Sequence, residues 1–344
     1  FPHGGGDIRN TVRDSTISGE ISLRHSDITS NTIEGNRCQF IGDSSTFAFT
    51  IIRGNVVETA IADASGGPGG GIEDEIIEDN VVLDGFIASS GASVTIRRNV
   101  VTATTLTVLS DLANAGIFTN SGDPTNIVGN TVTIPSATPT TPLCDFDDPV
   151  VLRTSAGRGL VADNLFTGGA CGIADSSGGD YIGNTIRGTH HGVITSGGYI
   201  WRDNVIVGNS GDGMITQGGP LEGNVIRDNA GAGVRLLYPV DTGAGPFASF
   251  GGNTIRGNGA CDLVVDAGVD TAAVVFTRNN AWDHATEAEV RALDVRDERP
   301  GATPDLIVIA PLACFGRLDL VIEGTVTDQD AGDVVVCLRG RAEV

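Results

Sequence analysis

The sequence predicts an all-β protein: a right-handed, single-stranded parallel β-helix with three short strands per rung and an asparagine ladder. A C-terminal cap with a short helix and a β-hairpin is expected to close it. Three observations carry this reading. Short apolar segments flank a recurring Asn, as in Ile33-Glu34-Gly35-Asn36, Ile52-Arg53-Gly54-Asn55, Ile96-Arg97-Arg98-Asn99 and Trp201-Arg202-Asp203-Asn204. From Asn164 to Asn184, Asn204 and Asn224 the step is 20 residues each time, the length of one solenoid turn built from three strands and three corners. The composition is glycine-rich and aliphatic, with 49 Gly in 344 residues and only 5% aromatics, which suits thin regular layers better than a globule packed round large rings.

Each element of the rung has its own signature. The segment before the Asn is the first strand, and three to five apolar residues after it form the second. A second Asn follows five residues on, in Asn204 to Asn209, Asn224 to Asn229 and Asn253 to Asn258, and marks the next corner. A glycine then opens the third strand, in Gly192-Val193-Ile194, Gly213-Met214-Ile215 and Gly233-Val234-Arg235-Leu236. Asn tolerates the left-handed backbone that a tight corner requires, and its amide can bond the Asn of the next rung. Gly serves corners where a side chain has no room. No helical period intervenes to make the chain an α/β fold.

Spacings longer than one rung mark insertions. Asn99 to Asn130 and Asn130 to Asn164 are both long, and the second holds the Thr/Pro-rich run from Thr133 to Pro142. This run, with Ser65 to Gly71 and Tyr238 to Ala248, reads as exposed loops beside the rod that build a groove. The β-helix is expected over residues 1–280 and the cap or extension over 281–344. A solenoid must cover its open ends, because bare strand edges recruit other chains. Thr286 to Leu293 reads as the short helix, with acids near its start. Strands are expected at Leu306–Ile309, Leu318–Ile322 and Val334–Leu338.

The charge excludes several functions. All 21 basic residues are Arg, against 43 acids, and the net charge is -22. Nucleic acid and anionic membrane would both repel such a chain, and no apolar run is long enough to insert in a bilayer. Lysine-based catalysis is impossible. Six cysteines with no C-x-x-C pair argue against a zinc ribbon. With the acidity they fit a secreted or cell-surface protein carrying disulfides, of which Cys144–Cys171, in adjoining rungs, is the first expected. The chain opens on Phe1 without an apolar leader, so a targeting segment is expected to have been removed.

The repeat resembles the parallel β-helix families that include pectate lyases, polygalacturonases, phage tailspikes and periplasmic NosD-like proteins, over roughly residues 5–280. Asn279-Asn280-Ala281-Trp282-Asp283 is similar to the Asn-Tyr-Trp-Gly ending of such repeats, which implies that Trp282 belongs to the cap. Aligned rungs place Asp148, Cys171, His191, Asp212, Ala232 and Cys261 just before successive third strands. Asp147-Asp148 with His190-His191-Gly192 resembles the Asp-Asp and Gly-His-Gly elements of polygalacturonases, although the Arg-x-Lys element of that family has no counterpart here. The lyase resemblance implies Arg235 as a base beside Asp212. Paired acids flanking a sugar can donate and accept protons, or hold a metal. Asp147, Asp148, His191, Asp212 and Arg235 are therefore the catalytic candidates if the protein is an enzyme, and solvated corner residues otherwise. Gly324 to Asp333 resembles the calcium-associated turns of cadherin-like and VCBS-type repeats, which implies Asp328, Asp330 and Asp333 as Ca²⁺ ligands. No other cofactor is expected.

Two functions follow as expectations. The first is an extracellular structural or adhesive β-solenoid of a bacterial surface or filament, with polysaccharide or further copies of itself as partner. The alternative is a polysaccharide lyase or glycoside hydrolase acting on an acidic polysaccharide.

Overall fold

A computed structural model describes residues 9–309, apart from 24–29, 44–48, 64–73, 90–92, 106–113, 121–124, 146, 155–158, 177, 197–199, 238–248 and 302–305. The chain winds as a right-handed parallel β-helix. Among the described residues eleven strands, from Arg9–Arg13 to Ser249–Gly251, stack in parallel as the first wall, and all but the first precede a ladder Asn. Strands after the Asn make the second and third walls, which share one hydrogen-bonded sheet.

Register explains the aliphatic composition. On the first wall Ile52 pairs with Ile77, Ile77 with Ile96 and Ile96 with Ile127, and all four are at most 1% exposed. Val132, Phe166, Ile186, Ile206 and Ile226 form the matching column of the second wall. Leu152, Ile173, Val193, Met214 and Val234 form that of the third. Each side chain sits one strand spacing, about 4.8 Å, above its equivalent, so three columns of mainly branched aliphatics fill the narrow interior. Tyr181 and Trp201 are partners in the first-wall register. They stack inside it with centroids 3.9 Å apart and planes within 2°, which makes them core and removes them as a platform for ligand.

The asparagine ladder runs unbroken from Asn36 to Asn280 through Asn55, Asn80, Asn99, Asn130, Asn164, Asn184, Asn204, Asn224 and Asn253. At Asn204 the backbone N–H and Nδ2 both donate to Oδ1 of Asn224, at 3.0 Å each, while Nδ2 also reaches the Tyr181 carbonyl at 2.9 Å. The corner differs in one respect from the expectation. The left-handed residue is the one before the ladder Asn: Gly54, Asp79, Arg98, Gly129, Asp163, Gly183, Asp203 and Gly223 all have positive φ. The Asn itself is selected for its amide, which satisfies buried backbone groups that the corner would otherwise strand. A second, shorter ladder joins Thr189, Asn209, Asn229 and Asn258 at the next corner.

The cap begins where the period stops. Thr286 caps a single α-turn, Glu287–Glu289, that runs into a π-helical turn, Val290–Asp294. Val295–Asp297 then adds a last strand beside Leu263–Val265, and Trp282 and Val290 are buried. Ile307–Val308 pairs in parallel with Val275–Phe276. The expected strands at 318–322 and 334–338, the hairpin with Asp328, Asp330 and Asp333, Cys314, Cys337, and the loops 65–71 and 238–248 lie outside the described residues. Among the described residues no helix is long and apolar enough to cross a membrane.

Candidate functional site

The third wall carries the candidate site on its loop-facing side, where two columns of side chains, several of them buried, run from rung to rung. In the first column Val150, Cys171 and His191 stand in register. In the second, Phe118, Arg153, Ala174, Ile194, Ile215 and Arg235 follow one another rung by rung. The alignment made from sequence is corrected by two residues at its start: Val150, and not Asp148, is the partner of Cys171.

The Thr/Pro-rich insertion folds onto this face. A disulfide joins Cys144 to Cys171, with Cα atoms 6.5 Å apart, and Cys144 packs with Val150, Ala170 and Ala174. Asp148, 1% exposed, accepts the backbone N–H groups of Thr140 at 2.7 Å and Asp145 at 2.9 Å, which fixes the loop from within. Arg153 Nη2 donates to the carbonyls of Asp145 and Asp148 at 2.9 and 3.1 Å, and Asn114 holds the Asp147 carbonyl at 3.0 Å. Between loop and wall lies a cleft of about 430 Å³ lined by Phe118, Asn120, Leu143, Arg153, Asp175 and Ile194, among others. Burial pulls the Arg153 guanidinium below its ordinary range, opposed by Asp148, Asp145 and Asp147.

Next to the cleft stands a polar triplet. His191 Nδ1 accepts the Asp212 N–H at 3.1 Å. The Asp212 carboxylate accepts the Ala232 N–H at 2.6 Å and Arg235 Nε at 2.7 Å, and Arg235 also lies 3.7 Å from Glu298 and 3.9 Å from Asp266. Burial first, then the neighbouring His190, pushes His191 down to about 4, so the ring is neutral at ordinary pH with its proton on Nε2. Burial lowers the Arg235 guanidinium, but the bond to Asp212 and the nearby acids outweigh it and leave it raised.

The structure thus brings His191, Asp212 and Arg235 together. Among the described residues no hydrogen bond or ion pair joins Asp147 or Asp148 to them. Arg187, Arg227 and Arg256 lie at the ends of second-wall strands, where Arg227 and Arg256 are register partners. Sequence reasoning missed Arg153, Phe118 and Leu143. The available signal was the single charge interrupting Val150-Val151-Leu152-Arg153 directly after an insertion.

Comparison with known proteins adds a family and a structural likeness. No curated protein matches the sequence. Among solved structures, the A-module of Azotobacter vinelandii mannuronan C-5 epimerase AlgE6 is similar over 90% of this chain and 91% of that one, at 13% identity and a TM-score of 0.44. Residues 76–288 match the family described as protein of unknown function, DUF1565, and the chain belongs to that family.

Proposed function

We propose that the protein is an extracellular adhesive β-solenoid that holds a polysaccharide chain along the outer face of the third wall. The observation that supports this most is the cleft pinned by Cys144–Cys171. Phe118, Leu143, Ala174 and Ile194 offer an apolar floor and rim to the C–H faces of sugar rings. Asn120, Arg153, Asp175 and Ser176 supply polar groups to their hydroxyls, the usual division of labour in a ligand cleft. A loop stapled by a disulfide suits an oxidising, extracellular setting.

Binding without turnover is favoured by how the acids are engaged. Asp148 accepts two backbone N–H groups and Asp212 is held by Ala232 and Arg235, so neither carboxylate stands ready to move a proton. Arg235, paired with Asp212 and flanked by Glu298 and Asp266, is a poor base. A second reading, a polysaccharide lyase or glycoside hydrolase, rests on His191, whose neutral ring beside Asp212 is in the right state to exchange a proton.

Affinity electrophoresis against a panel of neutral and uronic-acid polysaccharides tests both. Retardation by at least one polymer is expected, weakened about tenfold by Phe118→Ala, the loss of one well-packed anchor. No retardation by any polymer, or retardation indifferent to Phe118→Ala, would refute the cleft. Release of reducing ends or unsaturated uronate by the wild type, abolished by Asp212→Asn, would replace adhesion with catalysis.

A further inference from the structure

The second ladder ends on a carboxylate. Asn258, its last amide, donates Nδ2 to Oδ1 of Asp262 at 2.8 Å, and Asp262 immediately precedes the strand Leu263–Val265. The other oxygen, Oδ2, is buried with no hydrogen-bond partner, in a residue only 2% exposed. Two more carboxylates converge there. Asp283 follows Trp282 after the first ladder's end, and Asp294 closes the π-helical turn. One ligand atom from each of the three lies within 4.8 Å of the others. Asp294 is 3% exposed and accepts both the backbone N–H of His284, at 3.1 Å, and its Nδ1, at 2.6 Å. Asp283 Oδ2 accepts the Gly257 N–H at 2.8 Å.

A buried carboxylate oxygen without a donor costs free energy, and neighbouring carboxylates add repulsion. Burial above all pushes the Asp262 carboxyl up to about 7, and Asp283 and Asp294 push it further the same way against the Asn258 bond. His284 is hydrogen-bonded to Asp294. Among the described residues no basic side chain is hydrogen-bonded or ion-paired to Asp262.

We propose that Asp262, Asp283 and Asp294 bind a hard divalent cation of the calcium class, which ties the C-terminal cap to the last rung. An all-oxygen, carboxylate-rich donor set selects Ca²⁺-like ions over zinc or copper. Ligand atoms within 4.8 Å of one another fit round an ion with metal–oxygen distances of about 2.3–2.6 Å, where opposite ligands lie roughly 5 Å apart. The three residues come from three segments: the last regular rung, the ending of the first ladder, and the turn that leads into the final strand. The Asp262 N–H already bonds the Asp294 carbonyl at 2.8 Å, and the ion adds a side-chain crosslink at the same seam. His284 orients Asp294 from outside, as a partner of a metal ligand does. This site is distinct from the Asp328, Asp330 and Asp333 turn.

Terbium luminescence and thermal unfolding of the full chain, first stripped with a chelator, test the proposal. Trp282 is the immediate neighbour of Asp283 and should sensitise bound Tb³⁺, with Ca²⁺ displacing the signal. Saturating Ca²⁺ should raise Tm by roughly 5 °C. Asp283→Asn, at an exposed position that tolerates exchange, should weaken Tb³⁺ binding at least about tenfold, and Asp262→Asn should abolish the calcium shift while leaving the metal-free protein as stable as before or more so. Trp282→Phe should lose the luminescence and keep the calcium shift. The proposal fails if the stripped wild type gives neither sensitised emission nor a shift. It fails equally if both effects survive Asp262→Asn and Asp283→Asn but vanish in a D328N/D330N/D333N variant.

Discussion

The rungs between Asn164 and Asn224 and those between Asn99 and Asn164 differ in length but not at the ladder corner. In the first group successive ladder residues are 20 apart; in the second they are 31 and 34 apart. The Nδ2 to Oδ1 bonds are nonetheless 2.9, 2.9 and 3.0 Å in the regular rungs and 3.0 and 3.0 Å in the expanded ones. Register continues across both, from Ile96 to Ile127 to Val161 and on to Tyr181. The extra residues are therefore accommodated at the corners on either side of the third strand, where lengthening a surface loop costs little. The ladder corner is fixed by buried hydrogen bonds in every rung, whereas the second ladder, from Thr189 to Asn258, is confined among the described residues to the later rungs. In the expanded rungs the corners beside the third strand grow, and it is there that the cleft is built.

The largest expected effect strikes the part the two groups share. Asn204→Ala removes the acceptor for the Asn184 N–H and Nδ2 and the donor to the Tyr181 carbonyl, all of them buried. With about 1–3 kcal/mol for each group left unsatisfied, a loss of roughly 3–5 kcal/mol is expected in urea unfolding. Asn130→Ala should cost the same, because its bonds to Asn164 and to the Ile96 carbonyl repeat the pattern. A much milder Asn130→Ala would mean that the expanded rungs are held by something other than the ladder.

A second test acts on the link between the last expanded rung and the first regular one. The disulfide closes a 27-residue separation, and its removal in Cys144→Ser/Cys171→Ser should cost about 3 kcal/mol through the loosened unfolded chain. Limited proteolysis should then cut between residues 137 and 148 first, with the rungs beyond Asn184 resistant. Equal loss of protection throughout would show that the loop and the regular rungs unfold as one unit.

The same contrast explains what was legible in the sequence. Where the step is constant, the letters gave fold, strand order and the neighbourhood of His191 and Asp212, because position within a rung is position on a wall. Cys144 and Cys171 could be paired because they fall in adjoining rungs. Where insertions vary the step, register is hidden: the spacing aligns Asp148 with Cys171, whereas Val150 stands there. The letters do not tell the left-handed residue from its neighbour, because Asp, Gly and Asn all tolerate that conformation. Only the buried bonds of the ladder decide that Asp203 turns while Asn204 donates. Asp262, Asp283 and Asp294 had no legible signal at all, since their spacing follows no repeat and only the folding of the cap joins them.

His191 lies in a regular rung, in register with the Cys171 that the disulfide ties to the loop, and supplies the smallest of the three tests. Its ring, ordinarily near 6.5, is pushed down to about 4 in the folded protein. As pH falls through this window the unfolded chain takes up the proton before the folded one does, so the folded state loses stability from about pH 6.5 down to about 4 and no further from this group. The full difference is about 2–3 kcal/mol at the acid end. Asn at this position keeps an oxygen to accept the Asp212 N–H but does not titrate, so His191→Asn should be less acid-sensitive than the wild type by that amount, with the carboxylates common to both cancelling in the subtraction. A wild-type-minus-variant difference that stays flat between pH 7 and 4 would show that the imidazole is not shielded in the folded rung.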